Sequence, residues 1–363
     1  MDNRYIIFGL HELEGVGWKT ILQLLSRFPE PRELFELSTE TLAAAGIRKP
    51  LADLIAKRFT PSFIEERLQL YDQQSIHILT LLDDDYPPIL KEIAQPPWIL
   101  YVKGESSYLN QSLLSIVGTR TPTSYGKKIA ENLAMELSQA GFGIVSGLAR
   151  GIDSQAHIGA LQGAHGTVAV LGCAINQIYP RENALLYRKI EQRGVILSEY
   201  PIGTKLHPGM FPQRNRIIAG LSLGVMVVEA AADSGSLITV EFALDESRDV
   251  FAVPGSIHSA QSGGVHKLLQ QGAKLVSSVH DVLEEYPYLL RTGQIVIPQK
   301  RLKLHELSVE EQQIMAIMSN EPISIDTLLE ISQFTFGHLH AVLLSLLLKK
   351  AIKQLPGSTY LLA

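Results

Sequence analysis

LLSIVGTRTPTSYGKKIAENLAMELSQAGFGIVSGLARGIDSQAHIGALQGAHGTVAVLG, residues 113–172, is the stretch whose reading decides the fold. Three short apolar runs, near 113–118, 142–145 and 167–171, each stop at small residues: Gly118-Thr119-Arg120, Ser146-Gly147 and Gly172-Cys173-Ala174. Between the first two, Ile129, Leu133 and Leu137 recur at helical spacing across 124–140, so the stretch reads as β-turn-α-β-turn-α-β. Strands that end in small residues ahead of a helix gather backbone N–H groups at one edge of a parallel sheet, where such sheets bind ligands. The functional site is expected along that edge.

Further strand-like runs at 194–197, 224–228, 249–253 and 274–276 alternate with helical patterns around 183–192, 237–247 and 265–271. The alternation predicts an α/β domain over 105–285 built on a doubly wound, mostly parallel sheet. Upstream, residues 1–70 read as short helices punctuated by Pro29, Pro31 and Gly46, and 71–104 as a linker with accessory strands. Within 1–70, Leu13-Glu14-Gly15-Val16-Gly17-Trp18-Lys19 joins two helical segments. It is either a plain helix-helix corner or a helix-hairpin-helix turn whose glycines let backbone N–H groups approach a phosphate. Downstream, 286–305 is an expected linker. Residues 306–363 hold helical patterns near 309–318, 325–331 and 337–350, then a hairpin turning at Pro356-Gly357, which is a winged-helix outline. Only Lys349 and Lys350 make the third helix basic, which favours packing or protein contact over groove reading.

The chain has 363 residues, 46% of them hydrophobic, enough for two or three domains with a sizeable core. Against 37 acidic residues stand 32 basic ones, a formal net charge of -5, so a nucleic-acid site must be a local patch. Cys173 is the only cysteine, which removes internal disulfides and cysteine-based metal clusters. The N-terminal apolar run is too short for a signal peptide, and no run reaches the roughly 18 apolar residues of a membrane helix. A cytoplasmic protein is expected, with no membrane partner. No Walker-type loop, dinucleotide fingerprint, Gly-x-Ser-x-Gly elbow or His-Glu-x-x-His motif is present, and the histidine spacings suggest no metal set. Neither cofactor nor metal is expected.

Candidate binding residues lie at the strand ends. Arg120, just after Gly118, places a guanidinium beside a helix entrance, suited to a two-pronged grip on phosphate or to a surface salt bridge. Ser146 and Gly147 open a glycine-punctuated loop ahead of Asp153 and His157, which lie four apart on one helix face as a possible acid-base pair or as a cap and a local hydrogen bond. Arg181 follows Tyr179-Pro180. Phe211-Pro212-Gln213-Arg214-Asn215-Arg216 combines what single-stranded nucleic acid needs: guanidiniums for phosphates, an aromatic face for a base, and an amide for base edges. The alternative puts Phe211 in the core and pairs the arginines with Glu199 or Glu229. Ser234, Gly235 and Ser236 open a helix and offer an anion site or an ordinary cap.

In order along the chain stand Gly118-Thr119-Arg120, Ser146-Gly147-x-Ala149-x-Gly151-Ile152-Asp153-x-x-Ala156-His157, Tyr179-Pro180-x-x-Asn183, Ser198-Glu199-Tyr200, Phe211-Pro212-x-Arg214-Asn215-Arg216-Ile217-Ile218-x-Gly220-Leu221-Ser222 and Ser234-Gly235-Ser236. This series resembles the DNA-processing protein A family, also called Smf, of bacterial natural transformation. The flanks resemble that family's sterile-alpha-motif-like helical domain and its winged-helix domain. The resemblance implies an extended Rossmann-like core that binds single-stranded DNA, forms homodimers, and loads the RecA recombinase onto DNA coated by single-strand-binding protein. It also implies that Arg120, Phe211, Arg214 and Arg216 belong to the DNA pocket. Two positions depart from the family pattern: Gly172-Cys173-Ala174-Ile175-Asn176 replaces a usual Gly-x-Gly-x-Asp, and His266 replaces a common Asn.

A non-enzymatic DNA-binding mediator is therefore the leading expectation. The rival is a nucleotide-hydrolysing enzyme of phosphoribohydrolase type using Glu229 and Asp153. A third reading is an adaptor acting through its terminal domains.

Overall fold

The computed structural model describes residues 2–296, 308–318, 322–348, 351–355 and 359–362. The chain divides into two compact units, Met1–Pro298 and Gln299–Ala363. The turn expected at Pro356-Gly357 and the cations Lys349 and Lys350 lie outside the described residues, as does part of the expected linker 286–305.

The first unit is built on nine strands: β1 (His77–Thr80), β2 (Ile99–Gly104), β3 (Leu113–Gly118), β4 (Gly143–Ser146), β5 (Thr167–Leu171), β6 (Val195–Ser198), β7 (Gly224–Val228), β8 (Asp249–Val253) and β9 (Lys274–Leu275). Their order in the sheet is β1-β2-β6-β5-β4-β3-β7-β8-β9. From β6 to β9 every pairing is parallel. Every residue of β5 and of β7 is buried, as helices on both faces require of a parallel sheet. On one face Leu114 and Ile116 pack with Leu133 and Leu137 of the helix Ser124–Ala140 and Ile152 of the helix Ile152–Ala160. On the other, Val117 and Val145 pack with Ile217 and Ile218 of the helix Met210–Gly220 and Val240 of the helix Leu237–Asp245.

The helix Ser124–Ala140 starts where the Thr123 side chain accepts a hydrogen bond from the Gly126 amide. It stops at Gly141, whose φ of 116° lies where a side chain would be strained. Its buried face is Ala130, Leu133, Ala134 and Leu137, centred one residue beyond the expected Ile129-Leu133-Leu137 line, and Ile129 is only half-buried. The small Ala130 and Ala134 let the helix approach the sheet closely.

Residues 71–104 are not a free linker. The helix Pro61–Gln73 runs past residue 70, and β1 and β2 extend the sheet antiparallel beyond β6. The cause is burial: Ile99, Leu100, Tyr101 and Val102 are at most 1% exposed. Farther on, Leu289 and Ile295 join the core, so the described part of 286–305 is packed as well.

The N-terminal helices dock on this extension through a buried polar network. Glu12 Oε1 accepts from the Tyr71 hydroxyl at 2.8 Å and from that of Tyr101, while its Oε2 lies 2.5 Å from the Arg67 guanidinium. Arg67 also donates to Ile202 O at 3.0 Å, and the Ile202 amide donates to Tyr71 at 2.8 Å. The Gly15-Val16-Gly17 turn is anchored beside it, since Trp18 Nε1 donates to Pro96 O at 2.8 Å and Trp98 Nε1 donates to Trp18 O at 3.2 Å.

The second unit holds the helices Val309–Ile317, Ile325–Ser332 and Phe336–Leu348 with β10 (Ile323–Ser324), β11 (Ile352–Leu355) and β12 (Thr359–Leu362), in the order β10-β12-β11. Its own core includes Ile314, Leu328, Leu339, Leu343, Leu346 and Tyr360. Leu343 and Leu346 of the apolar third helix thus serve packing.

Candidate nucleic-acid interface

The strand order fixes where a site can form. From β3 the chain winds outward through β4, β5 and β6, then returns to the other side of β3 and continues through β7, β8 and β9. Between β3 and β7 the direction of winding reverses, and the loops leaving the two strands diverge to open a crevice. A cleft of about 330 Å³ sits there. It is lined by Gly118, Thr119, Arg120 and Thr121 after β3, by Phe211, Arg214 and Asn215 of the helix Met210–Gly220, and by Ser234, Gly235, Ser236 and Thr239 after β7.

Close backbone approach makes the crevice possible. A Cβ at Gly118 would collide with the carbonyls of Val228 and Glu229, and the Thr119 amide donates to Glu229 O at 2.7 Å. Gly151, at φ 82°, lies against the Thr119 carbonyl, and the Ile152 amide donates to that oxygen at 3.2 Å. The Arg120 loop is therefore pinned on two sides while its side chain stays exposed.

That side chain forms the mouth of the cleft with Phe211. The Arg120 guanidinium lies 5.9 Å from the Phe211 ring centroid, and the Tyr179 ring stands 5.2 Å from Phe211 on another flank. Phe211 is half-buried: one side rests against Gly172, where a Cβ would strike the ring, and the rest faces the cleft. Opposite, Ser234 and Ser236 hydroxyls bond each other at 2.8 Å and Gly235 is exposed, placing hydroxyls at the start of the helix Leu237–Asp245, while the Ser234 and Ser236 amides donate within the turn. Thr239 Oγ1 is buried without a hydrogen-bond partner in the same wall.

Other expected site residues take different places. Arg214 is 5% exposed; its Nη1 donates to Gly147 O at 2.6 Å and to Val170 O, and its Nε to Asn215 Oδ1 at 3.2 Å. The guanidinium is spent on the protein's own carbonyls and supports the cleft from beneath. Gly147 gives it room, because a Cβ there would overlap the guanidinium. Asp153 holds the same loop from its N–H side, accepting from Gly147 N at 3.1 Å and Ala149 N at 3.3 Å. Burial raises the Asp153 carboxyl above its ordinary range, against the pull of Arg214 and these amides. Asn183 buttresses the loop by donating to Leu148 O at 2.9 Å and Ala149 O at 3.3 Å.

Ser146 does not line the cleft, because it is fully buried and its hydroxyl donates to Ile116 O at 2.7 Å. Arg216 points the other way along its helix, pairs with Glu199, and donates to Gln95 O at 2.7 Å. It lines a separate cleft of about 1130 Å³ beside the N-terminal helices, the larger of the two. Burial raises the Glu199 carboxyl and Arg216 opposes that rise. The pairing with Glu199 was one of the two alternatives open in the sequence. Arg181 is exposed and stands outside the cleft lining.

The acid-base alternative at Asp153 and His157 finds no geometry. His157 is fully buried; its Nδ1 lies 2.7 Å from Thr167 Oγ1, whose own proton goes to Ile144 O at 2.6 Å. Nδ1 is therefore the protonated nitrogen, and Nε2 is left without a partner. Burial, and then Arg214, hold its pKa down at about 3. Glu229 sits at φ 53°, and both of its carboxylate oxygens are engaged, by the Thr123 amide at 2.8 Å and the Thr123 hydroxyl at 2.5 Å. Burial pushes the Cys173 thiol up to about 11, which keeps it protonated. Among the described residues no group of His, Cys, Asp and Glu could hold a metal, and no helix is long and apolar enough to cross a membrane.

Thr121, Thr239, Tyr179 and Asn183 join the site without being among the residues that the sequence motifs single out as binding. Thr239 offered one signal, a polar residue in the first turn of a helix that follows Ser-Gly-Ser. The ring contact of Tyr179 with Phe211 spans 32 positions and has no local signature.

Residues 77–287 match the family described as DNA recombination-mediator protein A, and residues 298–358 match the DprA winged helix domain. The chain is 44% identical over 221 residues to DNA processing protein DprA of Bacillus subtilis, covering 61% of this chain and 74% of that relative. Its structure is similar to the X-ray structure of DNA processing protein A from Streptococcus pneumoniae, with TM-score 0.68 and 38% identity over 78% of this chain and 97% of the other. It is also similar to DNA processing protein A from Helicobacter pylori, a structure described as giving insight into a unique single-stranded DNA binding mode, with TM-score 0.53 and 31% identity over 58% and 96%. With the family model spanning more than half of the chain and a crevice of this kind at the reversal of its sheet, the protein belongs to the DNA recombination-mediator protein A family, the DprA/Smf proteins.

Proposed function

We propose that the chain binds single-stranded DNA in the cleft between β3 and β7 and acts there as a recombination mediator in natural transformation, without catalysis of its own. The observation that carries this reading is the pairing of an exposed guanidinium with a half-buried ring, Arg120 beside Phe211, opposite the Ser234 and Ser236 hydroxyls and the exposed Gly235. On this reading a base stacks on the ring while the phosphates meet Arg120 and the helix start. The similarity to the Helicobacter pylori protein supports the same ligand. Engagement of both Glu229 oxygens by Thr123 supports a role without hydrolysis.

On this reading the partners are the RecA recombinase and single-strand-binding protein, the working form is a homodimer, and the place of action is the cytoplasm. Titration with oligo-dT against a duplex of equal length is expected to show preference for the single strand. Equal affinity for both, or unchanged affinity after Arg120→Ala, would sink the proposal. Mediation is checked by adding the protein to circular single-stranded DNA precoated with single-strand-binding protein and measuring RecA ATPase activity. A shortened lag is expected.

A further inference from the structure

A third cleft, of about 470 Å³, lies on the other side of the Arg120 loop. Thr123 and Tyr125 form one wall, Glu229 the floor, and Pro254, Gly255, Ser256, Ser259 and Ser262 the opposite wall. Three observations set it apart from a plain surface dip. Tyr125 is 48% exposed yet held in place, since its hydroxyl donates to Pro254 O at 2.9 Å. Ser262 is 2% exposed and occupies a helix N-cap position, but its hydroxyl makes no cap bond and lines the cleft. Lys127 and Lys128 are exposed and form no ion pair among the described residues. Lys128, three residues after Tyr125, stands on the same face of the helix Ser124–Ala140.

We infer that this cleft is a second nucleotide subsite for the strand that occupies the Arg120–Phe211 cleft, with the neighbouring base lying on the Tyr125 ring. The inference rests on the single-stranded DNA reading proposed above. The two clefts share the loop that runs from Thr119 to Tyr125: Thr121 lines the first and Thr123 the second. Two extended residues span at most roughly 7 Å, about the reach from one nucleotide to the next along an extended strand. The chemistry of this cleft suits sugar and base rather than phosphate. Its charged member is the Glu229 carboxylate, which repels a phosphate but can accept from a base N–H, while the three serine hydroxyls can donate to sugar and base oxygens. Phosphates are left to Arg120 on one side and Lys128 on the other. A ring fixed by its own hydroxyl stacks a base with little ordering cost.

The test uses the full-length chain and dT dodecamers carrying a single 2-aminopurine, whose fluorescence falls when it stacks on a ring. As the probe is walked along the strand, two adjacent positions are expected to be quenched. Tyr125→Ala should abolish quenching at one of them and weaken dodecamer binding on the order of tenfold. Tyr125→Phe should retain both signals, and Lys128→Ala should lower the slope of log K against log salt by about 0.7. Should Tyr125→Ala lose its circular dichroism, Ser259→Leu, which fills the cleft from a surface loop, takes its place with the same expected loss at one position. If both quenched positions and the affinity survive these changes while Arg120→Ala weakens binding, the second subsite is wrong and the first stands. If the unaltered chain fails to bind the dodecamer at all, the single-stranded DNA reading falls and takes the subsite with it.

Discussion

Two arginines six residues or fewer from an aromatic or a glycine turn look alike in a sequence, yet Arg120 and Arg214 perform opposite tasks. Arg120 is exposed over Phe211, so Arg120→Ala is expected to leave stability within about 0.5 kcal/mol and to reduce the salt slope of oligo-dT binding by about 0.7, as measured by fluorescence titration at several salt concentrations. Arg214 is buried against Gly147 O and Val170 O. Arg214→Ala is expected to cost about 2–4 kcal/mol in urea unfolding, because two carbonyls lose their donor and Asp153 loses a nearby cation. His157 gives a pH signature of its own. Its pKa falls from 6.5 in the unfolded chain to about 3 in the fold. Between these values the unfolded chain binds the extra proton, so the stability that neutral His157 contributes is complete above about pH 6.5 and lost as pH falls. The gap in unfolding free energy between the unaltered chain and His157→Gln should narrow by roughly 1.4 kcal/mol per pH unit below pH 6. Residue types in the motifs were legible; their burial was not. Whether a guanidinium faces solvent or a carbonyl depends on how closely β4, β5 and the helix Met210–Gly220 approach, and those segments are far apart in the chain.

At the scale of elements, the helix Ser124–Ala140 does three things at once: it covers the sheet through Ala130, Leu133, Ala134 and Leu137, supports Glu229 through Thr123, and presents Tyr125 and Lys128. Thr123→Ala removes both the cap to the Gly126 amide and the bond to Glu229, so a loss of about 1–2 kcal/mol is expected in calorimetric unfolding. The extent of this helix was legible from the apolar spacing across 124–140, while its Thr123 cap and Gly141 terminus come from the structure. The strands β3 to β8 were readable for the same reason, as apolar runs with small residues at their ends. β1 and β2 were harder to read, because prolines and acidic residues surround them and only pairing with β6 reveals them as sheet. The reversal of winding between β3 and β7 was likewise invisible. Alternating βα units do not state on which side of the first strand the later ones return.

The whole molecule is two units with separate cores, one around the nine-stranded sheet and one around Leu328, Leu339 and Leu343. A chain ending at Pro298 is therefore expected to unfold cooperatively at the same urea midpoint as that unit shows within the full chain, and to retain its affinity for oligo-dT. Loss of that affinity would transfer the binding role to the winged-helix unit. The net charge of -5 is compatible with DNA binding because the cations that matter, Arg120, Lys127 and Lys128, are gathered near one edge of the sheet. On the single-stranded DNA reading, the acidic balance elsewhere disfavours wrapping and keeps the strand to that edge.

The carboxylate of Glu229 occupies the start of the helix Ser124–Ala140, a position that in an open α/β sheet would attract any passing phosphate. The protein thus carries its own negative charge at that helix start, where a phosphate would otherwise be favoured, so on the single-stranded DNA reading a free nucleotide is expected to compete poorly there. Exchange of the carboxylate for an uncharged amide should reopen it: AMP is expected to displace oligo-dT from Glu229→Gln at concentrations that leave the unaltered chain fully loaded. Selectivity for a polymer over its monomers would then come from a place kept filled.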